Sequence, residues 1–238
     1  MAMVKNMFYY RWIMVAIIIA GTFPMDCFSQ SSSDANQSKE KLFHIGYGFG
    51  FNTMGLSIAA NPDFSVKAKA YLGLNFHLAA NFNFSQRLGL TIYTGILFNQ
   101  RNINISNSVT KEEITYPVES AIIEFPVALK YKLLPKKNRT SYFLIGFSPN
   151  LDALGTELPK ETVKRKAPVT LLRSFDLHPE IGLGVDYQLR KVKFGIELKF
   201  SLGLFDVNLK PDDPMHAFYA SAINTLYSRL IIFNFNFE

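Results

Sequence analysis

His178, Glu180 and Ser201 are of the types that could together do nucleophilic chemistry: a base, a carboxylate and a hydroxyl. They belong to a wider polar set that includes His44, His77, Glu124, Lys130, Asp176, Glu197 and Lys199. What these residues can do depends on the elements that carry them. Residues 192–204, VKFGIELKFSLGL, show the pattern. Val192, Phe194, Ile196, Leu198, Phe200, Leu202 and Leu204 take every second position, and Lys193, Gly195, Glu197, Lys199, Ser201 and Gly203 fall between. Strict alternation reads as a strand with one apolar and one polar face. Soluble strands run to roughly 5–6 residues, whereas a tilted strand crossing a bilayer needs roughly 9–11.

The same alternation recurs over about 43–58, 71–84, 88–99, 120–133, 141–151, 174–188 and 226–237, which with 192–204 makes eight segments. In the first, the phase slips near Asn52–Thr53, and a β-bulge is expected there so that Met54, Leu56 and Ile58 continue the apolar face. The links near SQR, PKKNRT and LRK are short, and the other four connections are longer. Short periplasmic turns alternating with longer external loops are the layout of an up-and-down barrel in the outer membrane.

Three features distinguish a lipid-facing apolar surface from the inner face of a soluble, lipocalin-like barrel. Glycines collect on the polar face, at Gly46, Gly48, Gly50, Gly182, Gly184 and Gly195 among others, as a narrow filled interior requires. Aromatic residues Phe84, Tyr131, Phe143, Tyr187, Phe194 and Phe237 gather at the short-turn rim, as an interfacial girdle does. The sequence closes on FNFNFE, similar to the terminal strand read by the outer-membrane assembly machinery. The expected fold is all-β: an eight-stranded antiparallel up-and-down transmembrane β-barrel over residues 43–238, with outer-membrane lipid as its surroundings.

Lys5 and Arg11, the apolar run from Trp12 to Phe23, and Cys27 and Ser29 at small positions before Gln30 read as a signal peptide over 1–29. Residues 30–42 have no periodicity and read as a flexible periplasmic lead-in. Cleavage lowers the formal charge from +6 to +5, because Lys5, Arg11 and Asp26 leave with the leader, and it removes Cys27, the only cysteine. That mild excess on an exported chain excludes a nucleic-acid footprint.

On this fold the polar set points inward, away from any acyl chain in the membrane. The candidate His178, Glu180 and Ser201 then compete with a plainer reading, a charge-paired plug of Glu124, Lys130, Glu180, Glu197 and Lys199, since buried charges persist when paired. The plug reading makes the protein non-enzymatic. The interior histidines sit on separate strands without a Cys or Asp cluster, which is no metal spacing, and Gly182-Leu183-Gly184 opens no helix that could hold a phosphate. No cofactor is expected. Outside the barrel, VKRK at 163–166 is a basic cluster in an external loop, and 217–226 has the composition of a short capping helix. The short turns carry Arg87, Lys136, Lys137, Arg139, Arg190 and Lys191 without an acid, the form of a docking rim for an acidic partner.

SAIIEFPVALKYKLL, residues 120–134, resembles a strand common among barrels of the Bacteroidota, and a bulge or distortion of its ladder is expected at Pro126. SYFLIGFSPNLD, DLHPEIGLGVDY, FGIELKFSLGL and SRLIIFNFNFE then resemble the PorT family of outer-membrane barrels in the type IX secretion system. The resemblance covers 120–238, and the first three strands match in pattern. It implies a non-enzymatic role in assembling or operating that apparatus, with other secretion components as partners at the periplasmic face. The alternative function is a generic small barrel acting as an adhesin or envelope-stabilising protein through its external loops.

Overall fold

The computed structural model describes residues 42–107, 113–133, 138–154, 171–190, 192–209 and 222–238. Its strands are β1 (Phe43–Ala60), β2 (Phe64–Ala70), β3 (Leu72–Asn83), β4 (Leu88–Asn107), β5 (Glu113–Glu124) and β6 (Val127–Lys132). They continue with β7 (Arg139–Asp152), β8 (Leu171–Leu172), β9 (Phe175–Gln188), β10 (Lys193–Leu202), β11 (Asn208–Leu209) and β12 (Ile223–Phe237).

All the main pairings are antiparallel, and each large strand lies beside its sequence neighbours. β1 meets β12, while β5 and β6 together close on β4, which makes a ring of eight strands. β5 and β6 are one strand interrupted at Phe125–Pro126. Proline has no N–H to give the ladder, and Phe125 N donates to Pro149 O at 3.0 Å while Tyr93 N donates to Pro126 O at 2.8 Å. Because β5 and β6 keep a single register on both sides, the proline interrupts the ladder without adding a residue.

The apolar face of the alternation points outward: Ile45, Leu78, Ile145, Phe147, Ile181 and Leu183 are all at least half exposed. Such a continuous apolar belt is far beyond what a soluble surface carries. At the short-turn rim the aromatic residues pair across strands, Tyr131 with Phe143, Phe194 with both Tyr187 and Phe237, and Tyr47 with Phe237. Phe194 and Phe237 have ring centroids 5.3 Å apart.

Several strands extend beyond the predicted segments, most of them at the long-loop end, while β7 also starts two residues earlier at its short-turn end, and part of the first long connection is β2. The expected bulge at Asn52–Thr53 is absent. Pairing runs without a shift through Asn52↔Ile232, Thr53↔Ile231 and Met54↔Leu230. Met54 therefore faces inward, buried at 1 % exposure. The apolar residues change face instead. At this level Leu97 on β4 and Leu230 on β12 point inside with Met54, as do Ile103, Ile105 and Leu226 further on, while Lys67, Lys69 and Arg229 are exposed. This inversion marks where the strands leave lipid for water. Ile103, Ile105, Leu172, Val207, Ala222, Ile223 and Leu226 form a separate apolar core there, with β8 and β11 across its top. The first half of the predicted helix at 217–226 falls outside the described residues, and its last residues, from Ile223, are strand β12.

Candidate functional site: the filled lumen and its rims

Among the inward-facing side chains, Glu197 on β10 is held by three hydrogen bonds. Its Oε2 accepts from the Tyr93 hydroxyl at 3.0 Å and the Tyr142 hydroxyl at 2.9 Å, and Oε1 accepts from Asn234 Nδ2 at 3.3 Å. Lys199, two residues along the same face, is 1 % exposed. Its ammonium lies 3.8 Å from Glu180 Oε2 and 4.6 Å from the Tyr93 ring centroid. The register sets Lys199 opposite Gly182 and Glu180 opposite Ser201. The pair is thus diagonal, and it depends on Gly182, where a Cβ would sit 3.2 Å from Lys199 Cγ. Glu124 is buried on β5, with a carboxylate oxygen against Gly95 of β4.

Lys130, grouped with these residues from the sequence, lies in a second cluster nearer the short turns. Its ammonium is 2.9 Å from Asp186 Oδ2 and 3.7 Å from the Tyr142 ring centroid. Lys193 also reaches Asp186, at 3.4 Å, and pairs with Glu238, whose carboxylate accepts from Asn81 as well. Asp186 is one of the inward positions of the β9 alternation. Its role follows from the β9–β10 register, which places it opposite Gly195 and beside Lys193.

The candidate triad takes a different form. Asp176, rather than Glu180, orients the histidine: His178 Nε2 lies 2.8 Å from Asp176 Oδ2, and His178 Nδ1 lies 3.0 Å from Ser201 Oγ. Asp176 Oδ1 also accepts from Leu177 N at 2.8 Å and Phe205 N at 3.1 Å. The chain of bonds therefore ties the 203–207 segment to the barrel wall. Ser201 is 2 % exposed, and it lines neither the cavity beside Asp176 and His178 nor the one beside Lys130 and Glu238. Nucleophilic chemistry needs a substrate atom in reach of the hydroxyl, and this geometry serves packing. Among the described residues no group of His, Cys, Asp and Glu side chains is arranged to hold a metal.

The strands thus form a closed ring of eight with an apolar exterior, a polar interior and an aromatic rim. The model of the outer membrane protein beta-barrel domain family matches residues 28–208. The chain belongs to that family. Its place is accordingly the bacterial outer membrane. No curated protein matches the chain. Among solved structures it is similar to neisserial surface protein A, at 8% identity and TM-score 0.42, over 81% of this chain and 95% of that one. It is also similar to Ail, the attachment invasion locus protein of Yersinia pestis, at 11% identity and TM-score 0.34, over 81% of this chain and 96% of that one.

For an outer membrane beta-barrel domain the short turns are periplasmic and the long connections external. The apolar core above Met54 is therefore on the outer side, and the cluster of Lys130, Asp186, Lys193 and Glu238 closes the periplasmic mouth. His44 is half-buried at that mouth. Of the six rim cations, Arg87, Arg139 and Arg190 are exposed, while Lys136, Lys137 and Lys191 lie outside the described residues, as does 163–166. Residues 1–41 lie outside them too.

Proposed function

We propose that this barrel supports assembly or operation of a type IX protein secretion system, as a non-enzymatic outer-membrane component that docks other secretion proteins on its periplasmic rim. The observation that carries the reading is a sorting of charge at that rim. The carboxylates Asp186 and Glu238 are turned into the mouth and paired with Lys130 and Lys193, which leaves Arg87, Arg139 and Arg190 as exposed cations. Opposite charge steers and registers a partner more than it adds affinity. The resemblance of residues 120–238 to PorT supports the same role. The filled lumen cannot be the conduit for folded cargo, so the contribution is a surface.

The test is deletion of the gene followed by analysis of the secreted proteome, with Lys136→Glu, Lys137→Glu and Arg139→Glu combined in a second strain. Loss of cargo export in both, with normal heat-modifiable mobility of the triple variant, is the expected result. Exposed turn charges contribute little to stability. Full export from the deletion strain would end the proposal.

A second reading, an adhesin or envelope-stabilising barrel, is favoured by the external extension and its own apolar core. It predicts that changes around Val163–Lys166 matter and that the rim variant behaves as wild type.

A further inference from the structure

A closed barrel has no free strand edges, yet this one has a seam in its external wall. β1 pairs with β3 from Phe43 to Thr53 and with β12 from Tyr47 to Ala60. Above Thr53 it therefore keeps β12 alone. β2 pairs with β4 and, among the described residues, with no other strand. The facing edges of residues 54–60 and 65–70, joined through the turn at Asn61–Asp63, thus carry no ladder between them.

At Tyr71 the ladder on β4 also changes register. β3 pairs with β4 as Leu74↔Phe98, whereas β2 pairs with it as Ala70↔Arg101, so three residues on one strand face two on the other. Tyr71 N donates to Gln100 O at 3.1 Å, Asn99 Nδ2 donates to Tyr71 O at 3.2 Å and Asn102 Nδ2 to the Tyr71 hydroxyl at 3.1 Å. This is a supported bulge, and bulges bend a strand and increase its twist.

The seam opens onto the external core. Leu56 and Ile58 on one lip and Phe64 and Val66 on the other are half-buried against Ile103, Ile105 and Leu226. The outward positions of the same lips carry Lys67 and Lys69, with Arg229 beside β1, where its Nη2 donates to Ser57 Oγ at 2.8 Å. The hairpin from Thr53 to Leu72 has one acid, Asp63, in its turn.

We propose that this seam is a strand-addition site for an extended polypeptide in which apolar and acidic residues alternate. The unladdered edge of residues 65–70 offers backbone donors and acceptors, which a peptide answers and a lipid does not. In an added strand, alternate side chains point to opposite faces. One set would meet the apolar core, and the other would lie beside Lys67, Lys69 and Arg229. The lysines also decide between occupants, because a second copy would bring its own Lys67 and Lys69 against these, and edge lysines are a standard guard against self-pairing. The site lies at the opposite end of the barrel from the periplasmic rim, so the inference stands apart from the secretion role.

The experiment uses the full chain in detergent micelles and three synthetic ten-residue probes: alternating Val and Glu, the same composition scrambled, and alternating Val and Lys. Binding is read by fluorescence anisotropy, and its position by amide hydrogen exchange. The alternating acidic probe should bind about tenfold or more tighter than either control and protect amides of residues 54–60 and 65–70. Lys67→Glu combined with Lys69→Glu should abolish that preference without altering heat-modifiable mobility. Equal binding of ordered and scrambled probes, or protection elsewhere, would overturn the site. So would seam amides that, without any probe, already exchange as slowly as those of Phe76–Leu78, or whose protection rises with protein concentration alone.

Discussion

Replacing Lys199 with methionine removes one charge from the middle of the lumen and keeps most of the side-chain volume. Glu124, Glu180 and Glu197 are its neighbours on the inner face, all buried. Their losses would differ. Glu197 keeps its bonds to Tyr93, Tyr142 and Asn234, whereas neither oxygen of Glu180 has a hydrogen-bond partner among the described residues. Its compensation is the ammonium at 3.8 Å. Breaking a buried ion pair by deleting one partner costs about 3–5 kcal/mol. Contact at 3.8 Å, beyond hydrogen-bond length, points to the lower end, about 3 kcal/mol, a figure that already contains the contact with the Tyr93 ring. Methionine fills the vacated space, so a packing loss should be small.

The assay is urea unfolding in micelles followed by circular dichroism, with gel mobility as the independent folded-state readout. Lys199→Met should lower stability by that amount. Adding Glu180→Gln should restore much of it, because the second change removes the stranded charge; a double-mutant cycle then reports the coupling directly. An unchanged unfolding midpoint for Lys199→Met, or a double variant no better than the single one, would refute the assignment of Lys199 as the counter-charge of Glu180.

Three further expectations can be checked in the same preparation. A Cβ at Gly184 would run into the Tyr142 ring, whose hydroxyl is held by Glu197. Gly184→Val should therefore destabilise by about 1–3 kcal/mol through overpacking, measurable as an earlier urea midpoint. Burial would raise the Glu238 carboxyl, but Lys193 more than reverses this and holds it below its ordinary 4.5. The folded state then binds that proton less readily than the unfolded chain, so the pairing stabilises above the unfolded value and is lost as pH falls below 4.5 through the folded one. Glu238→Gln should differ from wild type at neutral pH and converge with it in acid. Finally, the mature chain should begin at Gln30 by N-terminal sequencing and leave outer-membrane fractions only with detergent.

The strand count, the facing of the lumen residues and the aromatic rim all follow from period-2 alternation, because in a filled eight-stranded barrel each face has one environment along the lipid zone. The reading failed where that premise failed. At Asn52–Met54 the apolar residues change parity, and a bulge restores parity only if the surroundings stay the same. Here the surroundings change, from lipid outside and polar groups inside to water outside and an apolar core inside. The same switch occurs on β4, where Ile92 faces lipid and Ile103 and Ile105 face inward, and on β12 between Ile231 and Leu226. Three strands inverting at comparable height give a marker that one strand alone could not. Lys67 and Lys69 on outward positions of β2 carry the same message in charge.

Which inner residues meet is harder to read than which residues face in. Period and parity place Glu180, Asp186, Lys130 and Lys199 inside, but partners across the lumen depend on register and stagger. The tight link between β9 and β10 leaves few registers for Glu180 and Lys199, and the observed one makes the pair diagonal. For Lys130, on β6, the partner Asp186 lies two strands away on β9, across β7, and no turn length relates them. The glycines supply the missing constraint. Gly182 leaves room for Lys199 to lie across its neighbour, Gly184 admits the Tyr142 ring, and Gly195 lies against Asp186. Each marks a place where a large polar side chain from an adjacent strand crosses the wall toward the centre. In a barrel this narrow, the position of a missing Cβ is therefore evidence about which polar residue reaches over it.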